Sequence, residues 1–480
     1  MLRSRLFFLI GCWVLFLAAL MLMPLGLAAF LGEYRALQSF FSSFLMGSLI
    51  GGSLVLGFGS SEIIRTPRLT LLLPLCGVTA LAITAGLPFF FMLPDQGLWP
   101  SIYEGMSLIT TNGTSSYEGT FDGLKSFALW RAVVAWTGGF FAVCIALSFL
   151  TAMNIGGMQL HKSPLPFGDS ETGYTRLLAT ALTLYPMYLA VTLLCFLMLW
   201  ASGLQVFEAL TMSMATISTT GLFENYGDGL TNIATQAVLV FFMLLSCLNW
   251  DLHYARFKKR RLKVGPDQEL FGVLILVVIS TFLLTIFSTS VDLGNVWDNI
   301  FAAVSAVSTT GVMPTGYLQD SENFLEIGIL LMLAAAIGGS VVGTGGGLKQ
   351  LRAIILFRTG RAEISRLAHP HSIMGMDVGG VDVQKRDIEA VWLLLGSFVL
   401  ILALGSLALA VLGVHFQDAL SMSFTALTLS GPLVSVADPN FGGFSGLRDA
   451  DYAILSTLML VGRIESSLLL ALFAKSLWRG

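Results

Sequence analysis

The chain has 480 residues, of which 55% are hydrophobic and 11% are charged, and its formal net charge is −3. A soluble domain usually carries about 25% charged residues, so this composition excludes an ordinary soluble protein with one large core. The five cysteines all lie inside apolar runs without a close pair, which argues against a disulfide framework or a zinc site.

Long apolar runs recur from the start of the chain almost to its end, for example over residues 6–31, 177–204 and 391–414. Each run is long enough for a helix to cross the ~30 Å hydrocarbon core of a bilayer. The first run follows two arginines, as in a secretory signal, but it is about twice as long as the usual ~7–15-residue apolar region. Because a second run follows at once over residues 40–57, we predict a retained N-terminal helical hairpin.

Lysine and arginine are concentrated in alternate connections between the apolar runs, and the strongest cluster covers residues 256–263. The intervening connections are rich in aspartate and glutamate. By the positive-inside rule, the basic connections and both chain termini are predicted to face the cytoplasm. A basic cluster is also compatible with nucleic-acid binding, but its position directly after an apolar run favours a role in topology.

Four short segments align without gaps on one glycine, and each lies between two apolar runs. They read WPSIYEGMSLITTNG, FEALTMSMATISTTG, WDNIFAAVSAVSTTG and QDALSMSFTALTLSG, and they end at Gly113, Gly221, Gly311 and Gly431. An acidic residue or a proline precedes each glycine at a fixed distance, as is typical of the first turn of a helix. A helix of about 11–13 residues reaches only ~18 Å, so we predict four half-membrane helices, each followed by a returning loop. The alternative, four ordinary external loops, requires this pattern to coincide four times.

Four such loops around one axis would present rings of backbone carbonyls with hydroxyl groups at the inner edge. Oxygen dipoles of this kind replace the hydration water of hard monovalent cations. Glycine permits the positive φ that turns successive carbonyls to one side, and the short helices would direct their negative ends at the cavity. The predicted cation filter comprises Thr111, Asn112, Gly113, Thr219, Thr220, Gly221, Thr309, Thr310, Gly311, Leu429, Ser430 and Gly431. The ion ligands expected within it are Thr111, Asn112, Thr220, Thr310 and Ser430.

The third repeat ends in a segment, residues 323–358, that would measure ~54 Å as one straight helix, far beyond the membrane thickness. Six of the ten residues from Gly338 to Gly347 are glycine, and each costs about 1 kcal/mol in a helix interior. We therefore predict a helix break midway through the membrane, immediately below the filter. The sequence leaves open the alternative that these glycines serve close packing between helices.

Arg463 lies within the last apolar run, where an unpaired charge is costly and usually functional. Glu465 is only two residues away, a spacing at which side chains on a helix do not meet. The alternative is an arginine near the cytoplasmic end whose side chain extends to the aqueous interface.

Together these motifs resemble the Trk/Ktr/HKT superfamily of potassium transporters, and specifically its TrkH-type membrane subunit. The resemblance covers essentially the whole chain and is also carried by LPFFFMLPD, NIGGMQLHKSP, GTGGGLKQLRAIILFR and GRIESSLLLALF. It implies an all-α polytopic membrane protein with a fourfold pseudo-symmetric repeat of transmembrane helix, pore helix, filter loop and transmembrane helix. The expected segments are an N-terminal transmembrane hairpin over residues 1–68 and pore repeats over residues 69–160, 161–265, 266–370 and 371–480.

The resemblance also implies potassium uptake, with K⁺ and Rb⁺ passing through the filter, and no enzymatic activity. In this superfamily a serine in place of the first filter glycine accompanies sodium permeability, whereas this chain keeps Gly113. The gate of the family is an intramembrane loop that obstructs the pore, opposed by an arginine. The corresponding residues here are Gly343, Thr344, Gly345, Gly346, Gly347, Lys349 and Arg463.

Family members are homodimers with one pore per protomer, and the resemblance places them as multi-pass proteins in the bacterial inner membrane. It implies a separate cytoplasmic ring of nucleotide-binding, TrkA-like subunits as regulator, with residues 256–263 and 358–366 as candidate docking surfaces. No cofactor is expected in this chain, and K⁺ is the substrate.

Two loops depart from the family pattern, since Asn112 replaces a usual threonine and the loop at Gly431 lacks the usual asparagines. These changes leave open how strictly K⁺ is selected over Na⁺. A symporter coupling K⁺ to H⁺ or Na⁺ would need carboxylates or histidines along the path, but the acids at depth are those of the short segments and Glu465. A membrane enzyme would need clustered catalytic groups, and only His369 and His371 lie close together in the sequence.

Overall fold

The computed structural model describes residues 2–59, 67–150, 173–222, 230, 232–258, 267–287, 293–314, 317, 323–368, 377–378, 381–382, 385–438 and 441–464. These residues are helical apart from turns and one antiparallel pair of two-residue strands, Asp377–Val378 and Val381–Asp382. The first nine helices are α1 (Leu2–Leu20), α2 (Leu22–Leu31), α3 (Tyr34–Phe58), α4 (Pro67–Met92), α5 (Leu98–Ile109), α6 (Lys125–Ile145), α7 (Gly173–Ala201), α8 (Val206–Ile217) and α9 (Ile233–Cys247). The others are α10 (Trp250–Phe257), α11 (Gln268–Phe287), α12 (Leu293–Val307), α13 (Phe324–Ile337), α14 (Gln350–Ala368), α15 (Lys385–Val411), α16 (Phe416–Thr428), α17 (Val434–Ala437) and α18 (Asp449–Ile464).

Seven apolar spans in the described part of the chain are long enough to cross a membrane. They are α1 together with α2, and then α3, α4, α6, α7, α11 and α15. The pair α9 and α10 would form an eighth span, but the two helices meet at a bend of 99°. The prediction of an all-α polytopic membrane protein is confirmed.

The first three helices form the predicted N-terminal hairpin. The chain turns back at Gly32, whose φ of 74° lies in the left-handed region that ends helices. α3 then packs along α1. Two small residues permit this close approach, since a Cβ on Gly11 would lie 3.0 Å from the carbonyl oxygen of Gly51. The hairpin is tied to the first repeat by Glu33, whose carboxylate accepts the Lys125 amide at 3.0 Å.

A three-helix unit then occurs four times along the chain. In each unit a long helix packs against a short helix, which packs against a further helix. The units are α4–α5–α6, α7–α8–α9, α11–α12–α13 and α15–α16–α18. The short helices α5, α8, α12 and α16 have 12, 12, 15 and 13 residues, too few to cross ~30 Å of hydrocarbon.

The four units contact one another in cyclic order. The last helix of each unit packs against the short helix of the next, with α6 against α8, α9 against α12, and α13 against α16. The cycle is closed by α18, which packs against α5 of the first unit. The fourfold pseudo-symmetry predicted from the repeats is therefore present, whereas the segment boundaries drawn from the sequence stay predictions.

The third unit is interrupted where the sequence predicts a break. α13 ends at Ile337, the next residue Gly338 has a φ of 68°, and α14 begins only at Gln350. Residues 338–349, called the glycine segment below, are not helical. Glycines within the segment approach other backbones closely; for example, a Cβ on Gly347 would lie 2.6 Å from the carbonyl oxygen of Ala335.

Candidate ion-conduction site

The four short helices end with the same backbone geometry. The residue two positions before each glycine adopts a left-handed conformation although it is not glycine, with φ of 62° at Thr111, 54° at Thr219, 62° at Thr309 and 59° at Leu429. The amide of the following residue then donates to a carbonyl five residues earlier in its helix. These pairs are Asn112 to Ser107 (2.8 Å), Thr220 to Ala215 (2.9 Å), Thr310 to Ser305 (2.9 Å) and Ser430 to Thr425 (3.0 Å). Such residues cost roughly 1–3 kcal/mol of backbone strain each, so the surrounding structure must hold all four in place.

The four glycines do not share one backbone conformation. Glycine permits positive φ at each position, and Gly113 (83°) and Gly311 (79°) adopt it. Gly221 and Gly431 are not in the left-handed region. Glycine is therefore required at these two positions for a different reason, which is lack of space.

Each glycine lies against the next loop, and together the loops form a closed ring. We call them loop 1 (residues 110–114), loop 2 (218–222), loop 3 (308–312) and loop 4 (428–432). A Cβ added to each glycine would come close to a backbone atom of the next loop. The distances are 2.8 Å from Gly113 to the Gly221 nitrogen, 2.5 Å from Gly221 to the Thr310 oxygen, 3.3 Å from Gly311 to the Ser430 oxygen, and 2.6 Å from Gly431 to the Asn112 oxygen. The order of contact is thus 1 to 2, 2 to 3, 3 to 4 and 4 to 1. A hydrogen bond from the amide of Gly431 to the carbonyl of Asn112 (3.0 Å) closes the ring.

Three of the loops carry a matching pair of buried hydroxyl groups. The pairs are Ser218 with Thr220 (2.9 Å), Ser308 with Thr310 (2.8 Å) and Thr428 with Ser430 (2.7 Å). A hydroxyl that donates within its pair keeps lone pairs on its oxygen. These side chains therefore place further oxygen atoms in the loops beside the backbone carbonyls.

Loop 1 breaks this pattern at the residue that departs from the family sequence. Asn112 stands where the other loops have a hydroxyl, and its side-chain amide donates to the Thr114 hydroxyl at 2.7 Å. Thr114 also contacts the Tyr103 hydroxyl at 2.6 Å, and its carbonyl accepts from the Ser107 hydroxyl at 2.6 Å. Loop 1 is thus held by a side-chain network that the other three loops do not share.

A buried ion pair supports the turn after loop 1, and sequence reasoning did not find it. Glu104 of α5 is fully buried and lies 2.9 Å from Nε of Arg131 on α6. Its other carboxylate oxygen accepts the Ser116 amide and the Ser115 hydroxyl, both at 3.0 Å. The only signal in the sequence was that Arg131 lies in a stretch where basic residues are few. The carboxylate thus joins α5, α6 and the turn after loop 1.

The glycine segment lies against the other three loops, where the short helices end. Its contacts are the Gly346 amide to the Thr309 hydroxyl (2.8 Å), the Gly347 amide to the Thr428 carbonyl (3.1 Å), and the Thr219 hydroxyl to the Thr344 hydroxyl (3.3 Å). All of these residues except the half-buried Gly347 are buried. The segment therefore covers one side of the ring.

Lys349 ends the glycine segment in a strained conformation. Its φ is 75°, and its ammonium group donates to the carbonyl of Gly345 within the same segment. The side chain is only 7% exposed, so its charge is held at the buried end of the segment rather than at the surface.

Arg463 supplies the contact with loop 1 that the glycine segment lacks. Its Nε donates to the carbonyl of Thr110 at 3.0 Å, and its Nη2 contacts the same carbonyl and the hydroxyl of Thr111. Nη1 donates to the carbonyl of Thr344 at 2.9 Å. The guanidinium thus bridges the ring and the glycine segment, which contradicts the alternative of an arginine extending to the aqueous interface. Glu465 lies outside the described residues.

The electrostatics of the ring favour a cation. Four helix C-termini converge on it, and each carries roughly half a negative charge. Nowhere in the described ranges do three or more His, Cys, Asp or Glu side chains come together as metal ligands. The residues of the four loops offer backbone carbonyls and side-chain hydroxyls, which suit a hard monovalent cation.

All the predicted filter and gate residues lie within the described residues, and the structure brings the two groups into contact. Several other features singled out in the sequence lie outside the described residues. They are His369, His371, residues 259–263 of the basic cluster 256–263, and the motif at residues 154–164.

Comparisons with known proteins agree with this architecture. The TrkH family of cation transport proteins matches residues 84–288 and 318–479. The Trk system potassium uptake protein TrkH of Escherichia coli is 30% identical over 98% of both chains, and that of Vibrio parahaemolyticus is 29% identical over 84% of both. The crystal structure of the potassium transporter TrkH from Vibrio parahaemolyticus superposes over the full length of both chains with a TM-score of 0.85 and 26% identity. These matches confirm the resemblance seen in the sequence and the prediction that the chain is not an enzyme. The chain belongs to the TrkH family of cation transport proteins.

Proposed function

We propose that this protein is a potassium uptake subunit that conducts K⁺, and also Rb⁺, through the ring of four loops. The observation that carries the proposal is the cyclic contact of the filter glycines, in which each loop touches the next and loop 4 returns to loop 1. A ring of this kind presents oxygens from four directions to one axial ion. The relatives named as potassium uptake proteins support the choice of ion.

In this proposal an ion loses its hydration water at the ring and is held by carbonyl and hydroxyl oxygens. The left-handed residues Thr111, Thr219, Thr309 and Leu429 fix where the carbonyls point, so the ring need not rearrange to receive the ion. The four helix ends offset part of the cost of dehydration. Because Asn112 replaces a hydroxyl in loop 1, the paired hydroxyls come from loops 2, 3 and 4, while loop 1 contributes through its backbone and its contact with loop 2.

The glycine segment acts as the gate in this proposal, and Arg463 holds it closed. Support comes from the contacts of the segment with loops 2, 3 and 4 and from the guanidinium bridge to loop 1. An ion leaving the ring on this side meets the half-buried Arg463 and the buried Lys349. Conduction therefore requires the segment to move away from the helix ends.

Coupling of transport to H⁺ or Na⁺ receives no specific support from the described residues around the ring. The nearest buried carboxylate named above, Glu104, is paired with Arg131. We further propose the bacterial inner membrane as the location, with both termini in the cytoplasm, a homodimer, and a TrkA-like nucleotide-binding regulator that docks on the basic stretches 256–263 and 358–366.

The proposal is tested by expressing the chain in a bacterium that has lost its own K⁺ uptake systems but keeps its nucleotide-binding regulatory subunits. We expect restored growth at low external K⁺ and uptake of radioactive Rb⁺. The matched inactive control is Gly221→Val, because even a Cβ at this position would lie 2.5 Å from the Thr310 carbonyl oxygen. Full-length protein in the membrane that supports neither growth nor Rb⁺ uptake would contradict the proposal.

A further inference from the structure

Glu269 is a buried carboxylate that takes no part in the ring. It lies in the first turn of α11 and is 5% exposed. Its Oε2 accepts the Ser340 hydroxyl at 2.5 Å and the Asn249 side-chain amide at 3.3 Å. Its Oε1 accepts the Val341 backbone amide at 3.3 Å. Two of its three donors therefore belong to the glycine segment.

The third donor, Asn249, connects Glu269 to a sharp bend in the chain. Asn249 lies between α9 and α10, which meet at 99°. Its side-chain oxygen accepts the amides of Asp251 and Leu252 at 3.0 and 3.4 Å and so caps the N-terminus of α10. A change in the direction of α10 must therefore move the Asn249 amide that Glu269 accepts.

The same bend holds the first half of the glycine segment through its backbone. The Cys247 carbonyl accepts the Ser340 amide at 2.8 Å, and the Trp250 amide donates to the Val342 carbonyl at 3.3 Å. The second half of the segment, from Gly346 onward, is held by loops 3 and 4 instead. The second half of the segment is thus hydrogen-bonded to the ring, and the first half is hydrogen-bonded to the bend.

We propose that Glu269 is a positioning residue that locks the glycine segment to the bend between α9 and α10, so that a displacement of α10 is passed to the segment. The inference rests on the proposed function of the segment as a gate. α10 runs directly into the basic stretch 256–263, so a partner that docks on this stretch would act on the bend through α10.

A carboxylate is required at position 269 because three hydrogen-bond donors converge on this side chain. A carboxylate is an acceptor at both oxygens, whereas the amide of glutamine has one acceptor and one donor. Glutamine at this position therefore leaves at least one of the three donors facing another donor. Hydrogen bonds to an ionised acceptor are also roughly twice as strong as those between neutral groups.

The test is single-channel recording of the full-length purified protein in K⁺-containing bilayers. For Glu269→Gln we expect a roughly tenfold rise in the ratio of open to closed time, with unitary conductance and K⁺/Na⁺ selectivity unchanged. A merely structural role would reduce the number of active channels and leave the open fraction of each channel as it was. Ser340→Ala removes one donor from the other side, with little risk to folding, and should give a smaller rise.

The control is Asp267→Asn, two residues before Glu269. Asp267 also links α11 to α10, because its carboxylate lies 3.3 Å from the Arg256 guanidinium, and it accepts the Leu270 amide at 3.2 Å. Neither of these contacts involves the glycine segment. An unchanged open fraction in both Glu269→Gln and Ser340→Ala, while Arg463→Ala raises it, would overturn this inference and leave the gate standing. An equal rise in Asp267→Asn would overturn it as well. If none of the variants, Arg463→Ala included, opens the channel, the gate and this inference are both overturned.

Discussion

Replacing Arg463 by alanine is expected to raise K⁺ flux at least tenfold in the absence of any cytoplasmic partner. The substitution removes the donors to the Thr110 and Thr344 carbonyls, so the hydrogen-bonded link between loop 1 and the glycine segment is lost. Hydrogen bonds from a charged donor contribute about 1.5–3 kcal/mol each, and about 1.4 kcal/mol corresponds to a tenfold change in an equilibrium. It also removes a positive charge from the path of a cation. Flux is measured as Rb⁺ uptake into proteoliposomes with equal amounts of protein.

The matched control is Arg448→Ala. Arg448 lies just before the same helix, α18, and its guanidinium donates to the Leu412 carbonyl. This contact does not involve the glycine segment. We expect its flux to equal that of the wild type. Arg463→Lys keeps the charge but not the forked geometry that reaches two carbonyls, so an intermediate flux is expected. Correctly folded Arg463→Ala protein with wild-type or lower flux would show that this arginine does not hold the pore closed.

Gly113→Ser is expected to lower the permeability ratio of K⁺ to Na⁺ by roughly tenfold or more. At a φ of 83° a side chain costs about 1–3 kcal/mol of backbone strain, and its Cβ would lie 2.8 Å from the Gly221 amide nitrogen. Loop 1 must therefore move away from loop 2, which alters the spacing of the oxygens around the ion. The ratio is obtained from reversal potentials under K⁺ inside and Na⁺ outside.

The control for Gly113→Ser is Gly123→Ser, which introduces the same backbone strain without steric crowding. Gly123 has a φ of 85°, nearly that of Gly113, but no atom lies within 4 Å of where its Cβ would be. We expect wild-type selectivity from this variant. Equal selectivity in Gly113→Ser, Gly123→Ser and the wild type would mean that the contact between loops 1 and 2 does not set the spacing of the filter.

Much of the fold was predictable because membrane spans leave a strong signal in the sequence. The apolar runs, the short helices and the glycine at each helix end follow from length, hydropathy and turn chemistry, which act locally. The break after Gly338 was predictable for the same reason, since six closely spaced glycines oppose a continuous helix.

The contacts that connect these elements were not predictable from one sequence. The pairing of Glu104 with Arg131 and the clamp of Glu269 on Ser340 join residues on separate helices, and nothing in their local sequence records the partner. The close approach of neighbouring loops was likewise not predictable from one sequence. At Gly221 the constraint is the neighbouring Thr310 carbonyl, a contact between loops, rather than the φ of the glycine itself.

The reversal potential of the purified protein in liposomes, measured for the wild type and for Arg463→Ala under opposed K⁺, Rb⁺ and Na⁺ gradients, tests the central claim most directly. A four-loop oxygen filter predicts a potential close to the equilibrium potential of K⁺, near-equal permeation of Rb⁺, much lower permeation of Na⁺, and no dependence on a pH gradient. Equal permeation of Na⁺ and K⁺, or K⁺ flux that requires a gradient of H⁺ or Na⁺, would contradict it.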